Sequence, residues 1–305
     1  MRLKIRQIRV LRVAAAVLLA AFLGGCGSVG GCSQSQSASE RPWLAPIPGL
    51  GELDWAGPDF ALPIDAYAMD KRDVQLVEAA RAVLVLQCVN QSETLTDPEL
   101  DYVRQLLEAQ FHTQRWALGN WNAPHVAVHG GQTLFSRPPS PEWPDGLDWS
   151  RATDCINEDP GVLEMRPVSP MFGLMLFEDE TDLQLVGYWW EGIDLARADP
   201  RYWAITEERN DCTRSHGYDI YYPDDGSTGG LAYEDDWTLE ERRQAEVTEA
   251  RCSDAMGYTQ QAVDMLATYQ LETIANHEAE LIAHKQRLDE RVAAAAEILA
   301  AHGLP

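Results

Sequence analysis

Histidine and carboxylate side chains with metal-ligand spacing occur at two places in the chain. His277, Glu280 and His284 would share one face of a helix and could hold a cation if a second helix supplied further ligands. A solvated polar helix face has the same pattern, and we favour that interpretation. His125 and His129 are four residues apart, but the Val-Ala-Val between them favours an extended chain that separates them by about 13 Å. The sequence therefore predicts no metal site and no cofactor.

An acidic run could support general acid and base catalysis by paired carboxylates. Glu178, Asp179, Glu180 and Asp182 supply it, and a hydrolase of envelope glycans using such a pair is the alternative function. The motifs Gly-x-Ser-x-Gly, His-Glu-x-x-His and Ser-x-x-Lys are absent from the sequence. We therefore assign no catalytic residue.

Tryptophan provides a third kind of candidate site. The chain has ten tryptophans, and rings in loops could stack on cell-wall sugars or could instead cover the edge of the core. Both interpretations stay open. Six of the ten fall in predicted loops: Trp43, Trp55, Trp121, Trp143, Trp149 and Trp237.

The amino terminus has the layout of an export signal. Residues 1–12 carry five basic residues and no acid, and residues 13–23 form an unbroken apolar run. That run spans only about half of a bilayer core, which is too short for an ordinary transmembrane anchor. Leu23-Gly24-Gly25-Cys26 resembles a lipobox, so residues 1–25 are identified as a lipoprotein signal peptide. The resemblance implies that Cys26 carries diacylglycerol and anchors the protein in the lipid bilayer, on the extracytoplasmic face of the cell membrane.

The remainder of the chain is strongly acidic. Residues 26–305 carry 19 of the 24 basic residues and all 48 acidic ones, a formal net charge of −29. This charge excludes nucleic acid as a partner, because phosphate would be repelled. Residues 26–59 have no periodicity and predict a flexible tether, whereas residues 60–305 predict a folded domain.

Capping signals predict most of the helices, and the fold class is therefore mainly α. Asp70 begins a helix that extends to about Asn90, Asp97 and Asp199 each precede a proline, and Thr238 opens a capping box. A long helix is expected over about 259–301, where it either packs along the body or projects beyond it. The proline-rich region 119–170 predicts a long irregular loop with one or two short strands near His125 to His129. Residues 171–190 fit either a hairpin or two short buried segments.

Several of these segments resemble a known family. Leu62-Pro63-Ile64-Asp65-Ala66-Tyr67, Asp199-Pro200-Arg201 and Arg251-Cys252 are similar to sequences in a family of uncharacterised secreted proteins and lipoproteins of high-GC Gram-positive bacteria. The resemblance covers most of residues 60–303 and implies export. It brings no catalytic residue with it.

Four cysteines of the body are candidates for disulfide bonds, because an exported chain folds in an oxidising compartment. They allow three connectivities, of which we favour Cys212 with Cys252 and Cys88 with Cys155. Cys32 is left over in the tether. Taken together, the sequence predicts an acidic, disulfide-braced envelope lipoprotein that binds an envelope protein or a cell-wall glycan.

Overall fold

The described part of the chain is a mainly helical body, as the sequence predicts. In this computed structural model it comprises residues 42–55, 59–109, 118–131, 141–168, 180–222 and 229–305. Two pairs of very short antiparallel strands occur in these ranges, β1 (Glu52–Asp54) with β2 (Asp59–Ala61) and β3 (Ile220–Tyr221) with β4 (Gly230–Leu231). The helices of the same ranges are α1 (Lys71–Asn90), α2 (Asp97–Glu108), α3 (Ala123–His129), α4 (Trp149–Glu158), α5 (Pro160–Glu164), α6 (Glu180–Ala198), α7 (Pro200–Ser215), α8 (Leu239–Met256) and α9 (Tyr258–Ala301). None of them is long and apolar enough to cross a membrane.

The folded body begins well before the predicted end of the tether. The backbone N–H of Ile47 donates to Thr268 Oγ1 of α9 at 2.9 Å, and that of Gly49 donates to the Asp264 carboxylate at 2.9 Å. The tether predicted over 26–59 is therefore wrong from residue 43 onward. The segment has no periodic pattern because side chains of α9 hold its backbone.

The predicted starts of four helices agree with the structure to within one residue. Asp70, Asp199 and Thr238 are the N-cap residues of α1, α7 and α8, and each side chain accepts a backbone N–H of the first turn. The start of α2 differs slightly, because Thr96 is its N-cap and Asp97 is the first helical residue. Helix α8 ends at Gly257, which lies in the left-handed region with φ of 62°.

The middle of the chain corrects the sequence analysis most clearly. The strands predicted near His125 are absent, and that segment is helix α3, which begins after the N-cap Asn122 with Pro124 in its first turn. Asp159 and Pro160 begin α5 in the same way. Proline fixes the backbone angle that a first helical turn needs and lacks only an N–H that is unpaired there. Pro124 and Pro160 therefore lie at the starts of two helices in a region that the sequence predicts to be a long loop.

The longest helix, α9, packs along the body and does not project from it. Its first part buries Val263, Leu266 and Tyr269, and a kink follows at His277, where φ is −126° and ψ is 21°. Beyond the kink a new stripe of fully buried side chains continues: Leu281, Leu288, Ala295 and Leu299. Leu271, which lies before the kink, is 39% exposed. Residues 171–190 are predicted to form a hairpin or two short buried segments. Residues 180–190 of this range belong to α6, and residues 171–179 lie outside the described part of the chain.

Candidate functional site

Two disulfide bonds brace the helices. Cys88 of α1 bonds to Cys155 of α4, and Cys212 of α7 bonds to Cys252 of α8, with Cα–Cα distances of 6.0 Å and 5.8 Å. These are the two pairings that the sequence analysis favours. Cys26, the predicted lipidation site, and Cys32 lie outside the part of the chain that the structure describes.

A buried charge network joins α7 and α8. The Arg209 guanidinium is enclosed, lies 3.7 Å from a carboxylate oxygen of Glu249 and donates to the carbonyl of Leu118 at 3.0 Å. It also lies over the ring of Tyr258, with its central carbon 4.6 Å from the ring centroid. Glu249 accepts from Asn120 Nδ2 at 2.6 Å. A buried charge with this many partners fixes the positions of the helices around it.

Two further carboxylates of α8 hold the two ends of α3. Glu246 accepts from the backbone N–H of Gly131 at 2.8 Å, and Asp254 accepts from the N–H groups of Asn122 and Ala123 at 3.0 Å and 2.8 Å. Asp254 therefore places negative charge at the amino-terminal end of α3, where backbone dipoles favour it. These carboxylates act as backbone acceptors, and they fix the two ends of α3 against α8.

The residues just before α3 support an exposed tryptophan. The Trp55 ring is 56% exposed and packs edge-on against the buried ring of Trp121, with centroids 5.5 Å apart and planes at 86°. Asn122 Nδ2 donates to the backbone carbonyl of Trp55 at 3.0 Å. The ring is thus both accessible and fixed.

A second exposed tryptophan has the same kind of support. Trp149, the first residue of α4, is 57% exposed and packs edge-on against Trp143, with centroids 5.9 Å apart. Trp143 in turn contacts buried Tyr102 of α2, with centroids 4.7 Å apart. The remaining loop tryptophans differ in exposure, since Trp43 is 45% exposed and Trp237 is only partly exposed.

The four histidines that are candidate metal ligands lie in different surroundings. His277 stacks on Tyr188 at a centroid distance of 4.0 Å and its Nε2 lies 3.3 Å from a Glu191 oxygen, whereas His284 is buried. His125 and His129 stack on each other, with centroids 4.5 Å apart. The predicted separation of about 13 Å for this pair is wrong, because α3 brings residues four apart onto one face. In the described residues neither set forms a group of three ligand atoms.

Two aspartates at helix starts have pKa values that their surroundings shift in opposite directions. Burial and neighbouring Asp70 raise the pKa of Asp73 at the start of α1. Burial alone would raise the pKa of Asp199, but hydrogen bonds from Arg201 and Tyr269 outweigh it and hold that pKa below its usual value. The hydrolase candidates Glu178 and Asp179, and the side chains of Glu180 and Asp182, lie outside the described residues.

Comparison with known proteins gives no relative. The chain matches no family model, no curated protein sequence and no solved structure. The function is therefore inferred from the residues of the chain itself.

The network around Arg209 is a feature that sequence reasoning missed. Helix α8 carried a signal for it, because its inward face lacks large apolar residues and instead buries Glu246, Glu249 and Ser253 at spacings of three and four. A helix that packs between neighbours without an apolar stripe must bury polar groups, and those groups need partners.

Proposed function

We propose that this protein is a lipid-anchored binding module on the extracytoplasmic face of the membrane, and that Trp55 and Trp149 bind uncharged envelope glycans. One observation carries the proposal. The two most exposed tryptophans of the described residues are each held edge-on by a second tryptophan.

Rigid, exposed rings favour binding over simple coverage of the core. A tryptophan that covers the edge of the core is mostly buried. Trp55 and Trp149 are instead 56% and 57% exposed as whole residues. A ring that is already fixed loses little conformational entropy when a sugar stacks on it. Each ring therefore offers a flat apolar face at low entropic cost.

The charge of the chain restricts the ligand. With 48 acidic and 24 basic residues, the protein repels anionic wall polymers and anionic lipid surfaces. An uncharged glycan avoids this repulsion.

The binding test uses N-acetylglucosamine oligomers, which carry no charge. We expect Trp149→Ala and Trp55→Ala each to weaken binding about tenfold, which corresponds to about 1.4 kcal/mol. Trp43→Ala is the matched control, because this ring is exposed but has no tryptophan at its edge in the described residues. Unchanged affinity in both variants, or equal binding of an anionic polymer, would contradict the proposal.

The anchoring test measures the intact mass of the mature protein from a membrane fraction. We expect a mature chain that begins at Cys26 and carries diacylglycerol, and a Cys26→Ser variant that leaves the membrane fraction. A soluble wild-type protein without lipid would refute the anchor but would leave the glycan result standing.

A further inference from the structure

The second disulfide lies beside a histidine. Cys212 is in the last turn of α7, His216 follows it one helical turn later as the C-cap residue, and Cys252 approaches from α8. The two sulfurs and one imidazole nitrogen all lie within 4.8 Å of one another. His216 is exposed, Cys212 is partly exposed and Cys252 is buried, so the cluster opens to solvent on one side.

The histidine ring is oriented by the backbone. Nδ1 of His216 lies 2.9 Å from the carbonyl oxygen of Cys212 and 3.4 Å from Ser215 Oγ. A carbonyl can only accept, so Nδ1 carries the proton and Nε2 keeps its lone pair. Metal-binding histidines have this arrangement, in which the other ring nitrogen donates to a backbone carbonyl.

We propose that reduction of the Cys212–Cys252 bond converts this cluster into a Zn²⁺ site with Cys212, Cys252 and His216 as ligands. A dithiol reductant supplies two electrons and two protons, becomes a disulfide itself, and leaves two thiols. Each thiol then loses its proton as its sulfur binds the metal. Two thiolates and an imidazole are typical zinc ligands, and water completes the tetrahedron.

The surrounding structure keeps the ligands together after reduction. Helices α7 and α8 are also joined by the buried Arg209, which lies 3.7 Å from Glu249 and donates to the carbonyl of Gly229 at 3.1 Å. These contacts do not depend on the disulfide. The carboxyl-terminal end of α7 also favours a cation, because the helix dipole places partial negative charge there.

The other disulfide is an internal control. The Cys88–Cys155 pair has no third ligand at such a distance, since in the described residues only the cluster of His216 groups three potential ligand atoms. Reduction therefore exposes two dithiols of which one has a histidine beside it. The proposal is independent of the proposed glycan binding.

The experiment titrates the full mature chain with Zn²⁺ against a chelating dye, before and after reduction by a phosphine. We expect no stoichiometric binding by the oxidised protein and one equivalent per chain after reduction. Co²⁺ should then give thiolate-to-cobalt charge-transfer bands. One equivalent bound without these bands, or none bound, would overturn the proposal.

Variants identify the ligands. His216→Ala should weaken Zn²⁺ binding by more than the loss of about 10- to 100-fold typical of outer-shell partners, whereas His129→Ala, at an exposed histidine of α3, should leave it unchanged. A Cys88→Ser, Cys155→Ser double variant should still bind one equivalent. Equal affinity in His216→Ala and wild type would overturn the assignment.

A thermal measurement covers the case in which reduction loosens the fold. Zn²⁺ should raise the melting temperature of the reduced wild-type protein, because the metal binds the folded state, and should raise that of His216→Ala much less. A Zn²⁺-induced decrease in both proteins would show binding to unfolded thiols and refute a preformed site.

Discussion

Two glycines of α6 give a sharp test of how this helix packs on α9. A Cβ added at buried Gly192 would lie 2.6 Å from Cγ and 3.2 Å from the backbone Cα of Gln270. Gln270 is itself fully buried and accepts a hydrogen bond from Ile64 N, so it has little room to move. At exposed Gly187, in the same helix, a Cβ would meet nothing within 4 Å. The same substitution to alanine should therefore have opposite effects.

The magnitudes follow from two opposing effects. Alanine is favoured over glycine inside a helix by about 1 kcal/mol, and Gly187→Ala should raise the free energy of unfolding by about that amount. Gly192→Ala gains the same contribution but forces α6 away from α9, and such overpacking costs about 1–3 kcal/mol. We expect Gly192→Ala to lower the free energy of unfolding by about 1 kcal/mol.

Urea unfolding followed by far-UV circular dichroism measures both variants with the disulfides intact. The midpoint of Gly187→Ala should shift to higher urea and that of Gly192→Ala to lower urea, with unchanged slopes. A shift of Gly192→Ala to higher urea would refute the close contact between the two helices. A shift of both variants to lower urea would show that the exposed site is constrained in an unexpected way.

Three further predictions concern the termini, the disulfides and pH. A chain starting at Phe60 should be about 3 kcal/mol less stable than one starting at Trp43, because it lacks the hydrogen bonds to α9, and equal melting temperatures would contradict this. A Cys88→Ala, Cys155→Ala double variant should lose about 4 kcal/mol, since the bond closes a separation of 67 residues; denaturant unfolding without reductant checks the value. Because the pKa of Asp199 is lowered from 3.8 in the folded state, its contribution should be present above about pH 4 and lost below it. Asp199→Asn should flatten that part of the stability profile, and an unaltered profile would count against the ion pair.

The helices that could be predicted from the sequence are those whose ends carry polar caps. Asp70, Asp199 and Thr238 each stand before a helix and accept its first free N–H groups, which is a local effect and leaves a local pattern. The same signal was present at Asp159 and at Asn122 in the middle region, but the density of prolines obscured it. Those helices were predictable in principle.

Other features depend on distant residues and leave no local pattern. The segment before β1 is held by Asp264 and Thr268, more than 200 positions away in the chain. The His216 cluster likewise forms only when α8 brings Cys252 to α7. The sequence shows Cys212 and His216 four apart and favours the pairing of Cys212 with Cys252, but only the folded structure places the imidazole near both sulfurs.

The acidic composition explains how the polar interior is built. With 24 basic residues for 48 acidic ones, one-to-one pairing could give a cation to at most half of the carboxylates, and several accept backbone N–H groups. Asp254 and Glu246 do so inside the body, and four others do so at helix starts: Asp70, Asp148, Asp159 and Asp199, of which the last also pairs with Arg201. Hydrogen bonds to backbone amides are short-ranged and weakly screened by salt, but each is weaker when the carboxylate is protonated. The folded body should therefore tolerate high salt and lose stability in acid.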